Sequence, residues 1–217
     1  SIVDNATFIY SSSATQTLSG VISGTGALTK DTDTSSVLTL SNTNTYTGVT
    51  TINAGTISVG TIGNGGAAGN LGQATNASTN IVLGGGTLKY TGSTATSDRA
   101  FTITAGTTGT IDVPTGVTLT LAGATGTTTT GALTKTNSGT LNLSGVNTYT
   151  GTTTISAGTL AITGSGSLNS GSYAGSIVDN ATFIYSSSAT QTLSGVISGT
   201  GALTKDTDTS SVLTLSN

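Results

Sequence analysis

Short runs in which every second residue is apolar recur along this chain. In VLTL, VTLTL and GTLNL, leucine or valine alternates with threonine or asparagine. A period of two places one set of side chains on the inner face of a strand and leaves the other set in water. The pattern therefore predicts short, half-buried strands separated by turns rich in Gly, Asn, Ser and Thr. The predicted strands are Thr7–Tyr10, Val37–Leu40, Thr50–Val59, Gly86–Tyr90, Ala100–Thr104, Gly109–Val113, Val117–Leu121, Gly139–Leu143 and Gly158–Ile162.

One long segment interrupts these strands. Residues Gly60–Asn80 are rich in glycine, alanine and asparagine and contain few large apolar side chains. We expect this segment to form a projecting loop, because long connections normally run over the surface. Nowhere does the chain place apolar residues at helical spacing beside charged helix formers, so helix is not expected.

The chain repeats itself at two scales. Residues 1–42 recur without a difference as residues 176–217, a period of 175. Inside this unit, Gly26–Gly60 is echoed by Gly131–Gly164, with a two-residue insertion in the first copy. We therefore interpret 1–217 as one continuous segment of a tandem array, in which 1–175 is a full unit and 176–217 begins the next.

Two all-β architectures fit short strands with short turns. A sandwich of hairpins predicts Asn-Gly or Asp-Gly in two-residue loops, but the chain has one Asn-Gly pair, inside Gly60–Asn80, and no Asp-Gly. A β-solenoid explains a long exact repeat, since each coil contacts only its neighbours. The sequence thus favours an all-β, right-handed parallel β-helix (β-solenoid), because parallel crossovers coil right-handedly. Coils of about 20–25 residues would give about seven to nine coils per unit.

Composition and charge narrow the function classes. Threonine makes up about a quarter of the chain, which suits a pleated surface. Disorder is the alternative for such a composition, but the net charge is only −3 and 34% of residues are hydrophobic, whereas disordered chains combine low hydrophobicity with high charge. Five scattered Lys and Arg residues cannot form the basic stripe that nucleic acids require. No stretch approaches the roughly 18 apolar residues of a membrane span, and without cysteine no disulfide forms.

The internal echo carries a family resemblance. A Gly-rich lead, Leu-Thr-Lys, a Gly-Thr-Leu strand, Asn-Thr-Tyr-Thr-Gly, Thr-Thr-Ile and Ala-Gly-Thr-Leu follow in order. This order resembles the passenger-associated transport repeat of bacterial autotransporters. The matching residues are Leu28, Lys30, Leu38, Leu40, Asn44, Tyr46, Gly48, Ile52 and Gly55 in the first copy, and Leu133, Lys135, Gly139, Leu141, Leu143, Gly145, Asn147, Tyr149, Gly151, Ile155, Gly158 and Leu160 in the second. The first copy departs from the pattern at DTDTSS and at Asn42.

The resemblance implies a parallel β-helix exported to the bacterial surface, where such repeats build passenger stalks and adhesins. It implies an extracellular location and partners such as surface glycans or host cells, besides the neighbouring repeat units of the same chain. Self-association end to end is a further expectation, because the ends of a solenoid expose strand edges unless they are capped.

Acidic residues are the first candidates for chemistry. Asp31 and Asp33 could offer oxygens to Ca²⁺, with Asp206 and Asp208 as their copies, but the glycine-rich repeat of calcium-binding solenoids is missing. A solvated loop without metal is the preferred interpretation. Asp98 and Arg99 are adjacent in sequence, and an ion pair across coils is preferred to catalysis.

Catalysis lacks the usual residues. The chain contains no His, Cys or Glu, so common acid–base and nucleophile sets cannot be assembled. Tyr46 and Tyr149 could stack on sugars, but rings that cover coil corners are preferred, with Asn44 and Asn147 as ladder-forming turn residues beside them. No cofactor is expected.

The sequence favours a non-enzymatic stalk or filament that serves adhesion or display. The alternative is a binding module that recognises carbohydrate or a partner through one face or through residues 60–80; a groove lined by exposed Tyr and Asp would favour it. An enzyme of the polysaccharide-lyase kind ranks third, since it would need Asp clustered with Lys or Arg in a cleft.

Overall fold

The chain is described by a computed structural model that covers residues 1–206 and 210–217. These residues form an all-β solenoid of about 10 turns, which confirms the predicted fold class. The strands are β1 (Ile2–Val3), β2 (Thr7–Tyr10), β3 (Gln16–Leu18), β4 (Ile22–Ser23), β5 (Ala27–Lys30), β6 (Val37–Leu40), β7 (Thr50–Ile52), β8 (Thr56–Val59), β9 (Ile81–Leu83), β10 (Thr87–Tyr90), β11 (Ala95–Ser97), β12 (Thr102–Ile103), β13 (Thr108–Asp112), β14 (Thr118–Leu121), β15 (Ala132–Thr136), β16 (Thr140–Leu143), β17 (Val146–Asn147), β18 (Thr153–Ile155), β19 (Thr159–Gly164), β20 (Ser167–Leu168), β21 (Ser172–Tyr173), β22 (Ile177–Asp179), β23 (Thr182–Ser187), β24 (Gln191–Leu193), β25 (Ile197–Ser198), β26 (Ala202–Lys205) and β27 (Leu213–Leu215). Two short 3₁₀ turns cover Ser78–Asn80 and Asn169–Gly171.

Three long sides organise the solenoid. A nine-stranded sheet contains β3, β6, β8, β10, β13, β15, β18, β22 and β25 and runs through the whole stack. A five-stranded sheet (β2, β5, β7, β9, β12) accompanies the first half, and a six-stranded sheet (β11, β14, β16, β19, β23, β26) accompanies the second. Short ladders complete the remaining side at each end: β1 with β4, β17 with β20, and β21 with β24 and β27.

Every strand pair is parallel among the described residues, because each coil returns in the same direction. On the nine-stranded sheet, Leu38 pairs with Ile57, and Leu88 pairs with Ile111. The same spacing of about one coil recurs on the six-stranded sheet, where Leu141 pairs with Leu160. Like side chains therefore stack on like along the axis, and the core is one continuous column of Leu, Ile, Val, Phe and Tyr.

The repeated motif does not return to the same side. In the first copy, β5 carries Ala-Leu-Thr-Lys on the five-stranded sheet, whereas its echo β15 lies on the nine-stranded sheet. The strand that follows shifts in the same sense, from the nine-stranded sheet (β6) to the six-stranded sheet (β16). The identical segments Thr7–Tyr10 and Thr182–Tyr185 also occupy different sheets, in β2 and β23. The motif thus specifies how one coil packs on the next, and not a position around the axis.

The strand predictions are confirmed with one correction. Thr50–Val59 is not a single strand but two, β7 and β8, on different sides of the coil. The break falls at Gly55, whose φ of +66° lies in the left-handed region that favours glycine. The intervening Asn-Ala-Gly is therefore a corner. The sequence did not predict it, because polar and apolar residues alternate on both sides of these three residues.

The segment Gly60–Asn80 was predicted to project, and this is wrong in part. Ile62, Leu71 and Ala74 are buried in the solenoid. They substitute for the strand that other coils place on this side, so the segment is an elaborated coil with exposed stretches between buried anchors.

Candidate functional site: buried polar side chains at the coil corners

Two lysines of the repeat motif lie inside the solenoid. Lys30 and Lys135 are fully buried, and their stems stack on isoleucines, Lys30 on Ile52 and Lys135 between Ile111 and Ile155. A long aliphatic stem can replace an apolar side chain in such a column while its head group reaches a polar partner.

The ammonium groups are held by main-chain carbonyls. Lys135 Nζ donates to the carbonyls of Thr136 and Asn137 at 2.7 Å each, and to that of Ala157 at 3.3 Å. Burial lowers the pKa of Lys135 to about 8, partly offset by the negative charge of Asp112. Asp112 itself accepts hydrogen bonds from Thr136 Oγ1 (3.0 Å) and Asn137 Nδ2 (3.2 Å). The lysine therefore closes the turn after its own strand and ties it to the next coil.

The loop with Asp31 and Asp33, for which Ca²⁺ binding was considered and a solvated loop preferred, lies around the other lysine. Lys30 Nζ donates to the main-chain carbonyls of Asp33 (3.1 Å) and Asp31 (3.4 Å). Asp33 Oδ1 accepts hydrogen bonds from the N–H of Ser35 (2.8 Å), its hydroxyl (2.8 Å) and the N–H of Ser36 (2.7 Å). These hydrogen bonds, led by that of the Ser35 hydroxyl, lower the pKa of Asp33. The cation that this loop holds is the protein's own ammonium group.

The second-copy loop is described only in part. Asp206 donates its N–H to the carbonyl of Tyr185, whereas Asp208 lies outside the described residues. Within the described ranges, no three His, Cys, Asp or Glu side chains come together as metal ligands.

The motif tyrosines point into the solenoid. Tyr46 and Tyr149 are buried, and each hydroxyl contacts the threonine four residues later, Thr50 at 2.7 Å and Thr153 at 3.2 Å. Tyr173 packs edge-on against Tyr149, with ring centroids 6.0 Å apart. Neither motif ring is available at the surface to stack on a sugar.

These tyrosines share a small hydroxyl network. Thr153 Oγ1 lies 2.8 Å from the Tyr173 hydroxyl, which also donates to the carbonyl of Gly151. Desolvation raises the pKa of Tyr46 and of Tyr173 to about 12, and that of Tyr149 well above its ordinary value. All three therefore remain neutral hydrogen-bonding groups across the physiological pH range.

Asparagines join one coil to the next. The Asn44 amide is buried; its oxygen accepts the N–H of Ile22 (2.9 Å), and its nitrogen donates to the carbonyl of Asn70 (2.8 Å). Asn147 donates to the carbonyls of Gly145 (2.8 Å) and Ser167 (3.2 Å). Both bind main chain rather than another asparagine side chain, so the expected asparagine ladder is not what these two residues form.

The remaining motif residues set the coil spacing. A Cβ at Gly48 would overlap the carbonyl oxygen of Gly26, and one at Gly151 would overlap that of Gly131. Gly158, like its counterpart in the first copy, has a positive φ (+71°) at a corner. The aliphatic members are all buried: Leu28, Leu38, Leu40, Ile52, Leu133, Leu141, Leu143, Ile155 and Leu160.

Arg99 anchors the long segment, a role the sequence reasoning missed. Its guanidinium is buried and donates to the carbonyls of Gly72 (2.8 Å), Gly63 (3.0 Å), Ala74 (3.2 Å) and Ala67 (3.4 Å). Desolvation lowers the pKa of Arg99. The signal in the sequence was that this is the chain's one arginine, placed one coil after a long polar segment.

Asp98 binds the same segment independently. Its carboxylate accepts the N–H of Gly65 (2.7 Å) and the side-chain amide of Asn76 (3.3 Å). Ion pairs across coils were expected for Asp98 and Arg99, but both side chains instead bind uncharged groups of residues 60–80. Both residues follow β11, in the connection after that strand.

Two gaps in the described part of the solenoid are too small to hold a ligand. One lies beside Phe101 and Tyr149 and the other beside Arg99 and Leu88, and neither leaves volume for a water-sized sphere. All six tyrosines are buried. The polar side chains thus form hydrogen bonds within and between coils, and the geometry defines a self-stacking structural repeat.

Comparison with known proteins agrees with this class. The passenger-associated transport repeat family matches residues 35–59 and 133–162, the two segments whose lysines, tyrosines and glycines are described above. These two segments of the chain are therefore passenger-associated transport repeats.

One curated relative is the adhesin BmaC autotransporter of Brucella suis biovar 1 (strain 1330). It is 48% identical over 120 residues, which cover 54% of this chain and 3% of the adhesin. The chain thus spans a small part of that protein's length. No solved structure matches the chain. No helix in the described ranges has the length and apolar character needed to cross a bilayer.

Proposed function

We propose that this chain is a non-enzymatic structural segment of a β-helical stalk on a bacterial surface, where it serves adhesion or display. The observation that carries the proposal is the unbroken stack: one sheet of nine parallel strands follows the axis from β3 to β25. In such a stack each added coil lengthens the rod by about 4.8 Å. Chain length is therefore converted directly into reach.

Burial of the reactive side chains supports a structural role. The buried cations Lys30, Lys135 and Arg99, which could otherwise act on a ligand, instead donate to carbonyls of the chain itself. Surface positions on the sheets are mostly threonine, as in Thr56, Thr87, Thr110 and Thr134 on the nine-stranded sheet. Such a face stays hydrated with little charge. The similarity to an autotransporter adhesin supports a location outside the cell.

The test measures reach. The chain is displayed on a bacterial surface between an anchor and a terminal epitope, beside a Gly/Ser linker with the same number of residues. The height of the epitope is measured by super-resolution imaging with one, two and three copies of residues 1–175. A stalk predicts height rising linearly with copy number, whereas a flexible linker rises as roughly the square root of length. Square-root growth of the solenoid series would refute the proposal.

The binding-module alternative is tested on the same cells. Glycan arrays and host-cell adhesion assays are run on the epitope-free display, with the Gly/Ser linker as control. A stalk gives no binding above the linker. Saturable binding that is abolished by changes on one face, or within residues 60–80, would establish the module and contradict the passive stalk.

A further inference from the structure

The chain has a single Asn-Gly pair, Asn64-Gly65, and the structure surrounds it with unusual contacts. In any Asn-Gly sequence the main-chain nitrogen of glycine can attack the side-chain carbonyl carbon of asparagine, because glycine has no Cβ to block the approach. The product is a five-membered succinimide. Folded proteins usually slow this reaction by holding the main chain in a different geometry.

Here one residue contacts both reacting groups. Asp98 Oδ1 lies 2.7 Å from the nitrogen of Gly65 and accepts its proton as a hydrogen bond. The main-chain N–H of the same Asp98 donates to Asn64 Oδ1 at 3.1 Å. The first distance falls in the range required of a general base, about 2.6–3.2 Å. The second falls near the range for a donor that stabilises a developing oxyanion, about 2.7–3.1 Å.

We propose that Asn64 is a self-catalysed deamidation site, with Asp98 as its catalytic residue. Asp98 takes the Gly65 N–H proton while the nitrogen lone pair forms a bond to Asn64 Cγ, and the Asp98 N–H stabilises the negative charge on Oδ1. The tetrahedral intermediate then breaks its Cγ–Nδ2 bond; the leaving nitrogen takes the proton back from Asp98 and departs as ammonia. Water opens the resulting succinimide at either carbonyl, which leaves aspartate or isoaspartate at position 64.

The surroundings hold the catalytic group and admit water. The second carboxylate oxygen of Asp98 accepts the Asn76 amide at 3.3 Å. The neighbouring Arg99 is fixed by four carbonyls of residues 60–80, which restrains the main chain of Asp98 beside it. Asn64 is exposed, and the succinimide can therefore be hydrolysed directly.

Deamidation would add a negative charge at position 64, next to the carboxylate of Asp98 that holds this part of the chain. A carboxylate at position 64 would stand beside the Asp98 carboxylate, and like charges at this distance repel. In the isoaspartate product the main chain is also one atom longer at the turn. We therefore expect deamidation to release the 60–80 segment from Asp98 while the aliphatic core of the solenoid remains folded.

The experiment follows deamidation of the full chain by peptide mapping and mass spectrometry. The native chain is incubated at neutral pH, folded or unfolded in urea, and the peptide containing Asn64 is quantified for succinimide and for the exchange of ammonia for water. We expect the folded chain to react faster than the unfolded chain, and Asn64 to react faster than Asn169, which precedes Ser170 in the same digest. A folded rate below the unfolded rate would overturn the proposal.

Two variants assign the role of the carboxylate. Asp98→Asn keeps the shape of the side chain but removes the base, so the rate should fall by at least about tenfold. Asp31→Asn makes the same change at a carboxylate in another turn, where it accepts the N–H of Thr32 (2.8 Å), and should leave the rate within about threefold. If Asp98→Asn deamidates as fast as the native chain or faster, Asp98 is an anchor and not a base. Should this variant fail to fold, the folded-to-unfolded comparison on the native chain still decides the question.

Discussion

Substitution of Arg99 by alanine tests how the long segment is held to the solenoid. Two of the guanidinium contacts are short, to Gly72 (2.8 Å) and Gly63 (3.0 Å), and two are longer. Hydrogen bonds from charged groups contribute about 1.5–3 kcal/mol each. The two short bonds together would therefore contribute about 3–6 kcal/mol, but the segment can rehydrate its carbonyls when released. We expect a net loss of about 2–4 kcal/mol in the free energy of opening residues 60–80.

Hydrogen exchange measures this opening directly. The informative amides are those of Gly66, bonded to the Ala74 carbonyl (2.8 Å), and Gln73, bonded to the Tyr46 carbonyl (2.7 Å). A loss of about 2–4 kcal/mol accelerates their exchange by about 30- to 1,000-fold, since 1.4 kcal/mol is about tenfold. Amides of distant coils, such as that of Thr159, should change little, because each coil contacts only its neighbours.

Lys89→Ala is the matched control, because this cation is exposed on a neighbouring strand. It should leave the exchange of both amides unchanged. Unchanged protection of Gly66 and Gln73 in Arg99→Ala would refute the anchoring role. Loss of protection throughout the chain would instead show that Arg99 stabilises the whole solenoid.

Three further predictions concern the stack itself. Tyr173→Phe removes hydroxyl contacts to Thr153 and to a main-chain carbonyl, and should lower the free energy of unfolding in urea by about 1–3 kcal/mol; no change would mean that the network is not formed in solution. Gly151→Ala should cost more than about 2 kcal/mol because its Cβ overlaps the carbonyl oxygen of the coil below, whereas Gly63→Ala, with open space at its Cβ, should cost less than about 1 kcal/mol. Stability should rise with pH from about 8 towards 10, since the lowered pKa of Lys135 means that the folded chain binds fewer protons than the unfolded chain there. Stability should fall above pH 10, where the raised pKa of Tyr173 makes the folded chain retain a proton that the unfolded chain loses. Urea unfolding at a series of pH values measures both effects, and Lys135→Met should remove only the rise between about pH 8 and 10.

The aliphatic pattern predicted the fold because it reports directly on burial. Leu38 and Leu40 are separated by the polar Thr39, and both are buried on the inner face that this spacing implies. Exact repetition then distinguished the solenoid from a sandwich, since only stacked coils tolerate indefinite copying. Corners were harder: Gly55 breaks a run whose residues on both sides have β-forming character, and only its positive φ shows the turn.

The buried polar residues could be located in the motif but their partners could not be predicted. Lys30 and Lys135 are each followed by a polar turn, yet a lysine in a strand normally points to water. Each lysine lies two residues after a buried leucine and so on the inner face of its strand. The turn that follows supplies the main-chain carbonyls that bind its ammonium group. The partners of Arg99 lie more than twenty residues away in sequence, so no local pattern predicts them.

The shift of the motif from one side to the next bears on how long rods of this kind could meet each other. The strand Gln16–Leu18 (β3) has an identical copy in Gln191–Leu193 (β24). Seven full turns lead from β3 to β22 along the nine-stranded sheet, and β23 and β24 then lie on the next two sides of the coil. If the period of 175 continued, each unit would rise about 37 Å and start about a third of a turn out of phase with the one before. Three units would then bring the pattern back into phase, after about 110 Å.

Equivalent surface residues in successive units would therefore follow a helical path around the rod and face three directions in turn. Flat threonine-rich sheets of identical chains could otherwise lie against each other over their whole length, as strands do in fibrils. With this helical path, two parallel rods would present matching faces to each other over one unit and different faces over the next two. Crowded rods on one surface would stay separate, while each would offer the same residues to an approaching partner from any side.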